Sequence, residues 1–272
     1  MFDTFQFEFM RNALMAGLLA SVACGLVGVY VVVKKIVSMS GSIAHSSFGG
    51  IGLGYLLKFS PVLGAMLFAL LSALTMGVVT KKTKLPEDTA TGIIWALGMA
   101  LGVIFIGLSA GYAPDLMSYL FGNILTVPSS DLLLMLGLDA VIITLIIIFY
   151  KDFLLLCFDE EYATVAGMPV NQLYLLLLCM VALTVVVLIR VVGMILVIAM
   201  LTFPAALARR FTNDLKKMML LSVLFGMVFT FGGLWLSFVL NLASGATIIL
   251  FSGIVLLITY IVGGLKQQRA HH

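Results

Sequence analysis

His45 and Asp139 are the only imidazole or charged side chains that fall inside the long apolar stretches of this 272-residue chain. Such groups are costly in hydrocarbon, so they generally face a protein interior or a water-filled path. His45 lies in SGSIAHSSFGG, with Ser42 three residues before it and Ser46 directly after. A neutral imidazole is a good ligand for first-row transition ions. His45, assisted by Ser42 or Ser46, is therefore a candidate for a transient, low-affinity contact with a divalent ion. A hydrogen-bonded structural histidine is the competing reading. Asp139 reads first as a structural or pore-lining carboxyl, with a metal contact as the alternative.

Other chemistries are poorly served. No Gly-x-x-x-x-Gly-Lys-Ser/Thr string occurs, so the chain does not bind ATP in the P-loop manner. GGIGLG, at residues 49–54, follows no strand and opens no βαβ unit, which removes a dinucleotide reading. There is no His-Glu-x-x-His motif and no convincing nucleophile–base pair, so an enzyme is not expected. Cys24, Cys157 and Cys179 show no C-x-x-C spacing, and the 16 methionines are scattered as flexible packing would scatter them. His271 and His272 end the chain as a purification tag would and are set aside.

The elements that must position His45 and Asp139 are membrane helices. Hydrophobic residues make up 62% of the chain and charged residues 10%, with a mean hydropathy of +1.22. A helix needs about 20 apolar residues to cross ~30 Å of hydrocarbon. Nine stretches qualify: 12–33, 41–57, 61–80, 89–109, 132–150, 170–189, 191–208, 218–240 and 246–264. Two are weaker, 41–57 being short and glycine-rich and 191–208 containing Pro204. The fold expected is an all-α polytopic bundle of eight or nine transmembrane helices, forming one domain over residues 1–272.

Basic residues set the orientation. Lys34, Lys35, Lys81, Lys82, Lys84, Lys151, Arg209, Arg210, Lys216, Lys217, Lys266 and Arg269 fall on one side, and Arg11, Lys58 and Arg190 on the other. This places the C-terminus in the cytoplasm and the N-terminus outside. The net charge of +3 is a topology signal and gives no reason to expect nucleic acid. The first span is too long, and too well followed by Lys34 and Lys35, for a cleaved signal peptide.

Two connections are unusual. Ala110–Ser130 is apolar yet interrupted by Gly111, Pro114 and Pro128, so it is expected to dip into the membrane or lie on the bundle. Lys151–Pro169 lies on the cytoplasmic side. From Asp159 to Ala166 it reads as a short helix, with Asp159, Glu160 and Glu161 suiting its start and Gly167 its stop. So small a helix needs something to rest on, which makes it a docking candidate; an ordinary solvated loop is the bland alternative.

Five segments, taken in order, resemble the permease subunit of zinc/manganese-type ABC importers. SGSIAHSSFGGIGLGYLL resembles that family's histidine-bearing, glycine-rich helix. EDTATGI resembles its Glu-Asp helix opening, LFGNIL its Leu-Phe-Gly element, and DEEYATVAGMPV its Ala-x-x-x-Gly coupling segment. VVGMILVIAMLTFPAALARR followed by LASGATIIL resembles its C-terminal signature. The resemblance covers nearly the whole chain. It implies a type II ABC importer-like fold and a homodimer with a translocation path at its interface. It further implies a separate cytoplasmic ATPase docked on residues 159–168 (Asp159, Glu160, Glu161, Ala163 and Gly167), and an extracytoplasmic metal-binding protein. A divalent zinc, manganese or iron ion would be cargo, with no resident cofactor, in a bacterial or archaeal plasma membrane. Gly41 stands where the family commonly has Asp, and Gly49 where it often has Pro, leaving His45 as the carried-over ligand. The rivals are an ABC permease for a metal chelate such as cobalamin or a siderophore, a secondary transporter, and a membrane-embedded structural or receptor subunit. The second would favour internal repeats and several intramembrane charges, which are not seen.

Overall fold

A computed structural model describes the backbone of residues 8–83, 85–109, 122 and 124–270. It contains eleven α-helices and one 3-10 turn, with no strand among the described residues. They are α1 (Glu8–Val33), α2 (Val37–Leu56), α3 (Pro61–Lys82), α4 (Glu87–Leu108), the turn Ile124–Thr126, α5 (Ser129–Ile148), α6 (Tyr150–Phe158), α7 (Glu160–Val165), α8 (Val170–Val192), α9 (Met194–Phe211), α10 (Leu215–Leu240) and α11 (Ser244–Ala270). Eight are long and apolar enough to cross a membrane: α1, α3, α4, α5, α8, α9, α10 and α11. The protein is a multi-pass membrane bundle.

The ninth expected span, α2, has 20 residues but is diluted by serine and glycine, and it is absent from those eight. It has no need to face lipid. Most of its residues are buried, chiefly between α3 and α4, so its neighbours shield its polar positions. Glycine makes that enclosure tight. A Cβ on Gly50 would lie 1.9 Å from the Gly64 carbonyl oxygen on α3, and one on Gly98 of α4 would lie 2.4 Å from Ser46 Cα. With no lipid-expelling force between membrane helices, such close backbone packing is itself the adhesive.

α1 is the hub of the other half. It packs on α5, α8, α9 and α10, and its Ala13, Ala16, Ala20, Cys24, Val27 and Tyr30 are almost wholly buried. α8 joins the two groups by packing on both α3 and α1. α8 and α9 form a hairpin with Gly193 as the single linking residue. Its φ of 81° and ψ of 158° lie in a region essentially closed to side-chain-bearing residues. Pro204 sits inside α9 without breaking it, but the span expected at 191–208 begins later, at Met194, because Val191 and Val192 end α8 and Gly193 separates the two helices.

The connection 110–130 lies mostly outside the described residues. Its described part rests on the bundle: Ile124 is buried, and Gly122, at φ 64°, sits where a Cβ would meet the Val192 carbonyl carbon at 2.2 Å. One element was not anticipated. The stretch after Phe149 is helical (α6) rather than loop, because Phe153 and Leu156, three residues apart, both turn into the core.

Candidate functional site

His45 lies on α2 with its imidazole stacked on the indole of Trp95 from α4, ring centroids 4.0 Å apart and planes 12° from parallel. Its Nδ1 is buried and has no hydrogen-bond partner among the described residues. A helix brings residue i−4 alongside residue i, so Gly41 is the nearest neighbour one turn back. A Cβ there would meet only Ile198 and Trp95, each at 3.9 Å, which is ordinary contact. An imidazole with an unpartnered nitrogen, beside a position without a side chain, can offer a cation that nitrogen and little more.

The two serines are engaged elsewhere. Ser42 Oγ donates to the Thr91 carbonyl on α4 at 2.9 Å. Ser46 Oγ is bonded to Ser72 Oγ on α3 at 2.7 Å and to the Ile43 carbonyl at 3.0 Å. Both therefore pin α2 to its neighbours. Asp139 is on α5, which packs on α1 and α8 and not on α2. Its carboxylate is buried, within electrostatic reach of Cys24, and both oxygens lack a partner among the described residues. No group of three or more His, Cys, Asp or Glu side chains converges among the described residues.

A second constellation forms where the basic ends of the helices meet. α7 has only six residues and one buried side chain, Ala163. Six residues are too few to hold a helix alone, and both of its ends are closed. The Asp159 carboxylate accepts from the Tyr162 backbone N–H at 2.9 Å. At the other end Gly167, at φ 77°, lets its own N–H reach the Thr164 carbonyl (3.1 Å) and that of Met168 reach Ala163 (3.0 Å). This is a Schellman closure, and glycine suits its left-handed position. Glu161, Tyr162 and Val165 point outward, Val165 with 87% of its surface exposed.

Glu160 points the other way. One carboxylate oxygen accepts from Lys34, at the end of α1, and the other from Lys81, at the end of α3. Burial alone would raise its pKa, but the bonds and charges of the two lysines prevail and hold the carboxyl below its ordinary value. Beside it opens a cleft of about 330 Å³ lined by Lys81, Glu160, Thr164, Met168, Asn171 and Gln172, among others.

Sequence reasoning missed Trp95, whose partnership with His45 spans 50 positions and leaves no local pattern. It also read Lys34 and Lys81 only as topology markers. Their opposite charge to Glu160 was a usable signal, but nothing local says which acidic residue they meet.

A bundle of many membrane-length helices, with a short closed helix at one end, has the form of a membrane permease. The chain belongs to the ABC 3 transport family, whose model matches residues 6–263. An uncharacterized membrane protein of Synechocystis is 50% identical, over 95% of this chain and 92% of its own. The manganese transport system membrane protein MntC of Listeria monocytogenes is 35% identical, over 94% of this chain and 91% of its own. Among solved structures, PsaBC from Streptococcus pneumoniae in complex with Fab matches with a TM-score of 0.85 and 36% identity. That match covers 95% of this chain and 94% of the other.

Proposed function

We propose that this chain is the membrane-spanning subunit of an ATP-driven importer carrying a divalent transition-metal ion, manganese or zinc, into the cytoplasm. The observation that carries the reading is α7: a helix closed at both ends, anchored inward by Glu160 and presenting Tyr162 and Val165 outward. A chain without a nucleotide site needs such a surface to receive motion from an ATPase. Similarity to a Listeria protein named for manganese transport supports the cargo class.

In this reading two copies of the chain enclose the path, and lipid covers the remaining apolar faces. A cytoplasmic ATPase pair docks on the two α7 helices, and an extracytoplasmic metal-binding protein delivers the ion. The C-terminus is cytoplasmic, in a bacterial or archaeal plasma membrane. ATP binding closes the ATPase pair and displaces α7; hydrolysis resets it. His45 touches the ion in passing. A single unpartnered imidazole nitrogen holds a cation weakly, which suits a path that must release its cargo.

The test is reconstitution. The permease and its ATPase, placed together in vesicles, should accumulate radioactive manganese or zinc only when ATP and the delivery protein are present. Uptake by the permease alone would overturn the proposal. A second expectation concerns Gly167, where an added Cβ would have nothing within 4 Å but the backbone φ is 77°. Gly167→Val sets its Cβ in open space but strains the left-handed turn by roughly 1–2 kcal/mol and loosens α7. Membrane insertion should be normal and uptake should fall at least tenfold.

A further inference from the structure

Three transmembrane or cytoplasmic elements converge on one carboxylate. Glu160, the first residue of α7, is gripped by Lys34 from α1 and Lys81 from α3. Lys34 Nζ also donates to the Leu156 carbonyl at 2.8 Å, in the last turn of α6. The arrangement is more enclosed than an ordinary surface pair, since the Lys34 side chain keeps only 14% of its exposure. Exposed ion pairs contribute little on their own. Two charge-assisted bonds to one partly buried carboxylate fix geometry as well as energy.

We propose that Glu160 is the positioning residue that passes the displacement of α7 into the bundle. The inference rests on the transport reading above and names the mechanical link within it. The alternative routes out of α7 are weak. Ala163 is its only buried side chain, and a methyl group can slide. The covalent connections through Asp159 and Gly167 are turns, which can absorb a movement by rotation.

The ion-paired route is stiff and leads to the right place. Lys81 ends α3, whose Ser72 is bonded to Ser46 on α2 and whose Gly64 touches Gly50 there. α2 carries His45. Lys34 ends α1, and Lys35 at φ 61° closes that helix so that Ile36 N–H reaches the Val31 carbonyl at 3.0 Å. α2 begins one residue later, at Val37. A pull on Glu160 therefore reaches α2 by two routes, through the turn that follows α1 and through the contacts of α3. Tyr162 and Val165, on the outward side, remain free to hold the ATPase.

The prediction separates transmission from docking. In the reconstituted permease–ATPase complex, Glu160→Gln removes the charge while keeping the shape. Uptake per ATP hydrolysed should fall about tenfold, and the complex should still co-purify. Lys81→Gln should produce a partial loss, and the Glu160→Gln/Lys81→Gln double variant no further loss than Glu160→Gln alone. Glu160→Asp, retaining the charge on a shorter stem, should recover part of the ratio. An unchanged ratio in Glu160→Gln overturns the proposal. So does a parallel loss of uptake and hydrolysis, which would make Glu160 a docking or folding residue. If Glu160→Gln does not assemble, the exposed Lys81→Gln decides the matter, an unchanged ratio there again overturning it. Failure of the wild-type complex to couple ATP to uptake would count against the transport reading instead.

Discussion

At His45 two features act together: a ring nitrogen without a partner and an empty position one turn away at Gly41. Placing a carboxylate at Gly41 would put a second ligand beside the imidazole, and the 3.9 Å clearances to Ile198 and Trp95 leave room for the new Cβ. Gly41→Asp should therefore bind manganese about tenfold more tightly, ~1.4 kcal/mol, and release it more slowly. Equilibrium binding and single-turnover uptake would show this; unchanged affinity would mean that the ion does not pass His45. The effect should vanish in Gly41→Asp/His45→Ala. Glu160 allows a prediction of a different kind. Its pKa lies below the ordinary value of 4.5, because Lys34 and Lys81 outweigh the effect of burial. A depressed carboxylate contributes its pairing fully above the unfolded value and loses it only as pH falls through the lower native value. Titration of Glu160 should thus leave the uptake-to-hydrolysis ratio flat from neutral pH down to mildly acidic pH. A loss of coupling well above pH 4.5 would show that the ion pairs do not form.

Among the helices, the α8–α9 hairpin depends most on one residue. Gly193 turns the chain at φ 81° and ψ 158°, where a Cβ clashes with its own backbone. Gly193→Ala should cost roughly 1–3 kcal/mol, seen as a lower melting temperature of the purified protein in detergent. Gly107, on α4 with nothing within 4 Å of its Cβ position, is the control: Gly107→Ala should leave melting nearly unchanged. These cases also show what could be read beforehand. α5 and α10 announce themselves as apolar runs of bilayer length. α7 was legible because Asp159 and Gly167 mark its ends with residues chosen for capping. α6 was hidden because Lys151 and Asp152 resemble a loop, and only the core shows that Phe153 and Leu156 face inward. The enclosure of α2 was half legible. Its glycines promised close packing, but the neighbours supplying Gly64 and Gly98 follow from tertiary structure alone.

Over the whole molecule, α2 decides how many times the chain crosses the membrane, and hence where everything else lies. Lys34 and Lys81, which share Glu160, mark one end of the bundle, and Arg209 joins them there by donating to the Val32 carbonyl at 3.1 Å. α2 leaves that end at Val37 and α3 returns to it at Lys82. Twenty helical residues rise about 30 Å, so Lys58, just beyond α2, reaches the opposite end. Counted with α2 there are nine crossings, which puts the termini on opposite sides; without it the count is eight and the same-side arrangement follows. In the proposed orientation, the excess of Lys and Arg at the Glu160 end places that end in the cytoplasm. Single cysteines in a cysteine-free background separate the two arrangements. Lys58→Cys should react with a membrane-impermeant maleimide in intact cells. Thr83→Cys, just past α3, and Thr212→Cys, just past α9, should react only after the membrane is opened. Lys58 is a sharp probe because its backbone is already fixed at φ 57° in the turn before α3. Labelling of Lys58→Cys only in opened cells would place it with Lys34 and Lys81. The path through α2 to His45, and the transmission from Glu160 toward it, would then both fall.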